Sequence, residues 1–335
     1  MILNKTYYYV LKGNEDMGDT KKVFFIGDVA LDEYYSAPYF PKLKEKIVVQ
    51  TLPAQMGGMI ANAACVYAGY GLPVWFLTAL NPGAVSKSLC RGLNEAGVDT
   101  TYMVWDESLP DSKTIIILAE GEHTVFIPTL NVQRIELTGA AVEALRQADY
   151  IYSTFCELRP LRYGDMTACQ VLADVISHGC KLWVDLDVAD LQDGDDILFE
   201  YVDTLFVNEK GYENLEKRAE GGVCAWLYGK GVKRLIVTRA EHGCTVYIRD
   251  GETFSVDGLS VPVADVTGAG DTFCSTFLYG YTRGMDLRRC ARFANYAASR
   301  AVTELGARAG AVGAETVLDW IEAHGGNRAE YEAFL

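Results

Sequence analysis

Short apolar runs alternating with helical patterns leave this chain few folds to choose from. Val23-Phe24-Phe25-Ile26-Gly27-Asp28 reads as a buried strand ending in a polar turn, and residues 58–70 read as a helix. Residues 74–78 (strand) and 84–96 (helix) repeat the unit. Residues 150–152, 182–184, 204–207 and 235–237 continue it as strands separated by helical stretches. Strands that are apolar along their whole length are covered on both faces, and joining them through helices gives a largely parallel sheet. The expected class is α/β: a Rossmann-like, doubly wound, mostly parallel sheet flanked by helices. Ligands of such sheets bind at the carboxyl ends of the strands.

Two segments break the alternation. Residues 33–56 are aromatic and extended, and residues 112–128 carry a hairpin signal around Glu120-Gly121-Glu122. An antiparallel excursion of this kind is expected to form a small β lid, or else an edge extension of the main sheet. One domain over residues 22–335 is expected, preceded by a poorly ordered tail at residues 1–21. A chain of 335 residues is long enough to bury one large core.

Composition narrows the partners. A net charge of −15 argues against nucleic acid or an anionic membrane, but not against a nucleotide held in a locally positive pocket. The nine cysteines are scattered without a Cys-x-x-Cys pair, which fits reduced thiols in a cytoplasmic protein better than a disulfide framework or a zinc site. No apolar run approaches a membrane span, and Lys5, Lys12, Glu15, Asp16 and Asp19 break up any signal-peptide segment. His123, His178, His242 and His324 show no ligand spacing, and the five tryptophans read as packing residues.

The run Asp265-Val266-Thr267-Gly268-Ala269-Gly270-Asp271 follows an extended stretch at residues 259–264 and leads into an apolar helix from Thr272. Small residues at a helix start expose backbone N–H groups, which together with the positive end of the helix dipole attract an anion. A carboxylate beside such a hole is out of place unless it acts on something next to the anion, such as a hydroxyl attacking a phosphoryl group. A bare Gly-x-Gly is more often an ordinary capped turn. The whole run is far more specific: it resembles the signature that opens the catalytic helix of ribokinase-like (PfkB) carbohydrate kinases, with Val266 at a position usually held by Thr.

That resemblance spans roughly residues 22–310 and implies roles for further residues. Asp271 would be the general base, and the amides of Gly268, Ala269 and Gly270 the anion hole. Gly57, Gly58 and Asn62, in a Gly-Gly-x-x-x-Asn cluster, would bind sugar hydroxyls together with Asp32, with Asp28 as the competing carboxylate. Glu122 matches a position that touches the sugar. Asn208, Thr238, Gly243 and Asn295 would line the nucleotide site, and Gly306-Ala307 the turn near a monovalent cation such as K+.

Two departures stand out. Gly211 replaces the Glu of the family's Asn-x-x-Glu, leaving the residues of the metal shell unassigned. Ala240 replaces a Gly of the nucleotide loop, which predicts a differently shaped turn. The implied partners are ATP with Mg2+ and a small sugar or sugar acid, and the implied assembly is a homodimer through the lid. A nucleoside acceptor would instead use the aromatics between Tyr34 and Phe40. A catalytically silent binding protein is the third reading, resting only on the altered motifs. A phosphorylated acceptor would need another cation in the pocket, for which Lys113 is the candidate.

Overall fold

The computed structural model describes residues 20–186 and 191–335. The tail assigned to residues 1–21 therefore lies almost wholly outside the described residues. The main sheet has eight strands. From one edge they run Val74–Leu77, Val23–Ile26, Tyr150–Ser153, Lys181–Leu186, Val202–Asn208, Arg234–Thr238, Cys244–Ile248 and Thr253–Val256. All neighbours are parallel as far as Arg234–Thr238, and the last two pairings are antiparallel.

Alternate side chains of each strand enter separate cores. Phe25, Tyr152, Trp183, Phe206 and Ile236 pack beneath the helices Met59–Gly69, Ala269–Thr282 and Leu287–Ala301 on one face. Phe24, Ile151, Val184, Leu205 and Leu235 fill the other. This two-sided burial is why the strands read as continuous apolar runs, and the α/β class with a doubly wound sheet is as expected.

The two interrupting segments meet in a second sheet of five strands. Ala30–Ala37 pairs antiparallel with Gln50–Thr51 and Gln55–Gly57, and parallel with Lys113–Ala119, which turns back into Glu122–Phe126. Glu120 and Gly121 both adopt positive φ at the turn, the geometry that matches strand twist in a tight hairpin.

Some local expectations need correction. Residues 259–264 join no sheet and lead into the loop anchored by the Ala264 and Asp265 amides on the Val302 carbonyl. The helix that the sequence pattern places last, at residues 288–304, runs Leu287–Ala301 and is followed by Ala314–Ala323 and Ala329–Glu332. Trp105 is not a packing residue; it is 49% exposed. Among the described residues no helix is long and apolar enough to cross a membrane.

Candidate active site

The Ala269–Thr282 helix starts between two sites. Its N-cap, Gly268, is left-handed at φ 76°, and a Cβ there would lie 2.0 Å from the Ala307 carbonyl oxygen, so the turn requires glycine. Asp265 braces this turn by accepting the Thr267 and Gly306 amides, each at 2.9 Å. Burial would raise its pKa, but these hydrogen bonds and the nearby His123 hold it below the usual value. Of the three amides expected to form an anion hole, one is already engaged. Among the described residues the amides of Gly268 and Gly270 donate to no protein acceptor, whereas that of Ala269 donates to the Val266 carbonyl at 3.2 Å.

On one side of the helix start, Asn62 Nδ2 donates to Asp271 Oδ2 at 3.0 Å, and Asn62 Oδ1 accepts from Arg308 Nε at 3.1 Å. Asn62 comes from the Met59–Gly69 helix, whose cap, Gly58, has φ 100° and no capping side chain. Asp28 supplies the missing cap, accepting the Met59 and Ile60 amides at 3.0 and 3.1 Å. That commits Asp28 to capping this helix. A Cβ on Gly57 would lie 2.0 Å from Asp32 Oδ2, so glycine is what lets this carboxylate sit against the strand. Burial raises the pKa of Asp32, with the Asp28 charge adding to the rise and the Thr114 hydrogen bond and Arg308 opposing it.

Strand register decides the remaining lid residues. Asp32 pairs with Thr114 and Tyr34 with Ile116, which in turn pairs with Val125, so these share one face. Glu122 pairs with Ala119, which pairs with Ala37. It therefore occupies the opposite face, about 16 Å along the strands from Asp32. The structure does not bring Glu122 to the cluster. Lys113 is also on that opposite face and ion-paired with Glu33 at 3.0 Å.

On the other side of the helix start, a cavity of about 700 Å³ is lined by Asn208, Thr238, Gly243, Ala269, Gly270 and Asn295, among others. Asn208 caps the Glu209–Glu216 helix, its Oδ1 accepting the Gly211 amide at 2.7 Å, while Thr238 donates to the Val207 carbonyl at 3.4 Å. Asn295 braces the floor by donating to the Val256 and Asp257 carbonyls at 3.4 and 3.1 Å. Gly243 has φ 83°. In the loop before it Ala240 adopts φ 44°, a left-handed backbone without a glycine. Among the described residues no cluster of three or more acidic, His or Cys side chains could hold a metal by itself.

Two residues at the site carried no function in the sequence reading. Arg308 is one. The other is Asp185, which accepts the Tyr152 hydroxyl at 3.0 Å. Burial, then the charges of Asp185 and Asp271, push both the Tyr152 hydroxyl and the Cys274 thiol well above their ordinary pKa values, so the two carboxylates flank this buried pair. An Asp ending a central parallel strand was the available signal for Asp185.

With this geometry in place, comparison with known proteins defines the class. The family model for pfkB family carbohydrate kinases matches residues 20–312, and the chain belongs to that family. It is a kinase. The chain is 24% identical over 318 residues to the ribokinase of Haemophilus influenzae, covering 90% of this chain and 99% of that one. The structure of Arabidopsis thaliana ribokinase complexed with ribose and ATP superposes with a TM-score of 0.76 at 23% identity, covering 90% of this chain and 99% of the other. An Escherichia coli protein described as a ribokinase II, complexed with ATP and Mg2+, superposes at 0.72 with 17% identity, covering 91% of this chain and all (100%) of the other.

Proposed function

We propose that this enzyme transfers the terminal phosphoryl group of ATP to a hydroxyl of a small sugar or sugar acid. The observation that carries the proposal is the position of Asp271. It stands at the positive end of a helix, held by Asn62 on the side of Asp32 and Gly57, while the large cavity opens on the side of Gly270 and Asn208. Asp271 accepts the proton of the attacking hydroxyl, and the Gly268 and Gly270 amides face the charge that develops on the transferring group. Asp32, Gly57, Gly58 and Asn62 position the acceptor. The second sheet excludes water, which suppresses ATP hydrolysis.

Bound Mg2+ would neutralise phosphate charge, and with no ready-made acidic cage among the described residues it would be held mainly by the phosphates and by water. Glu209 and Glu213 are acids of the cavity wall available to orient that water. A monovalent cation would belong at Gly306 and Ala307, beside the ionised Asp265, and would show as K+-dependent turnover. ADP release measured across pentoses, hexoses, keto-deoxy sugar acids, sugar phosphates and nucleosides tests the reading. Turnover confined to nucleosides would replace the sugar acceptor. Silence with ligand-raised Tm would replace the enzyme by a binding protein. The nucleoside alternative has less support, since Tyr34 shares the Asp32 face but Tyr35 points to the other one and Phe40 stacks on Phe126.

Asp32→Asn has two expected effects of opposite sign. Folding raises the Asp32 pKa, so the ionised form costs stability above the unfolded value of 3.8, and most fully above the raised folded value. The variant should therefore raise Tm at pH 7 and leave it unchanged below about pH 4. It should also weaken acceptor binding roughly tenfold to 10²-fold by removing charged hydrogen bonds. Thermal scans at two pH values and acceptor KM check both.

Homodimerisation through the second sheet is part of this proposal. Phe40, Val48, Val125, Phe126 and Ile127 are exposed there, Ile127 by 78%. Phe126→Asp should convert a dimer to a monomer in sedimentation; a dimer that survives it uses another surface.

A further inference from the structure

We propose that Arg308 is a positioning residue for phosphoryl transfer, acting on Asp271 through Asn62; the proposal rests on the kinase reading above. An Asn amide offers an acceptor at one end and two donors at the other, and its rotation is decided by its neighbours. A guanidinium has only donors and an ionised carboxylate only acceptors. With Arg308 Nε 3.1 Å from Oδ1 and Asp271 Oδ2 3.0 Å from Nδ2, both ends are matched. Rotating the amide by half a turn would set oxygen against carboxylate and NH2 against guanidinium. Arg308 thus locks Asn62 in the orientation that holds one oxygen of the base.

The relay joins parts of the chain with no local relation. Asn62 lies on the first helix, 209 positions before Asp271 and 246 before Arg308. Arg308 belongs to the turn whose Ala307 carbonyl packs on Gly268 and whose Gly306 amide binds Asp265. A single segment therefore fixes both the anion hole and the base. Arg308 is seated by Met56 Sδ at 4.0 Å, and its Nη2 is buried with no hydrogen-bond partner among the described residues. Leaving such a donor unpaired is costly, which argues against a role limited to stability.

The charged and titratable groups facing the relay are Asp28 and Asp32 from the acceptor side, Cys65 from the first helix, and Asp185, Tyr152 and Cys274 from the main sheet and catalytic helix. Donation from Asn62 favours the ionised form of Asp271. Loss of the lock should therefore raise the pH at which the base becomes active.

The test is kcat against pH for wild type, Arg308→Met and Arg308→Lys, using an acceptor the wild type turns over. Arg308→Met is expected to lose roughly tenfold to 10²-fold in kcat, in line with a misplaced catalytic group, with ATP KM unchanged and the acid limb moved upward. Arg308→Lys, whose ammonium can donate to the same oxygen, should recover most of the rate and return the limb. If Arg308→Met does not fold, Arg308→Gln against Arg308→Lys makes the comparison, because a Gln amide can present either a donor or an acceptor to Asn62 and so no longer fixes its rotation. Wild-type kcat and limb in the variant, or a change confined to acceptor KM, overturns the relay while leaving the kinase reading intact. Absence of wild-type turnover on every acceptor overturns both.

Discussion

Replacing Asp271 by Asn is expected to lower kcat by roughly 10²-fold or more, with the fold preserved and ATP affinity not reduced, as loss of a general base requires. Asn has the same shape and can present its oxygen to Asn62 Nδ2, so the 3.0 Å contact can survive the exchange. The helix start is closed by backbone, Thr272 N–H to the Gly268 carbonyl at 2.9 Å, and does not depend on the carboxylate. What disappears is a group able to take a proton. A negative charge next to the phosphates also disappears, and it can only have opposed the binding of ATP. ADP release gives the rate, and titration calorimetry with ATP gives the affinity. Full turnover in the variant would remove Asp271 from the mechanism and leave no assigned base.

The strands and the glycine-rich helix start were legible because their signals are local. A strand buried on both faces is apolar throughout, as in Val23–Ile26, and a helix needing left-handed entry announces it with Gly268. What could not be read is what the topology brings together. Spacing favoured Asp32 over Asp28 but gave no physical reason; what the sequence could not show is that Asp28 is taken up by the Met59 and Ile60 N–H groups, which lack a local cap. The uncapped Gly57-Gly58 start was a clue that some distant carboxylate would be needed there. Arg308 gave no such clue, since its partner is a helix near the other end of the chain. Glu122 failed for a different reason. Its place in the hairpin was recognised, but the face of a strand residue depends on register with its neighbours, and one position decides it.

Gly268→Ala is expected to cost about 10²-fold in kcat and to lower Tm as well, two effects with one cause. Left-handed backbone costs an alanine about 1 kcal/mol on its own. The larger problem is the Ala307 carbonyl, 2.0 Å from the new methyl; it is backbone and cannot rotate away. Either Gly268 leaves its left-handed conformation or the turn at Ala307 retreats. The first re-aims the Gly268 amide, and losing one such donor typically costs 10² to 10³ in rate. The second pulls on Gly306 and Arg308, and so on the groups that fix Asp265 and Asn62. Gly270→Ala separates strain from chemistry. Nothing lies within 4 Å of a methyl there and its φ is not positive, so that variant should keep wild-type Tm or exceed it. Thermal unfolding and kcat measured on both glycine variants decide the point. A Gly268→Ala protein with wild-type Tm and rate would mean that the turn is neither rigid nor part of the phosphoryl site.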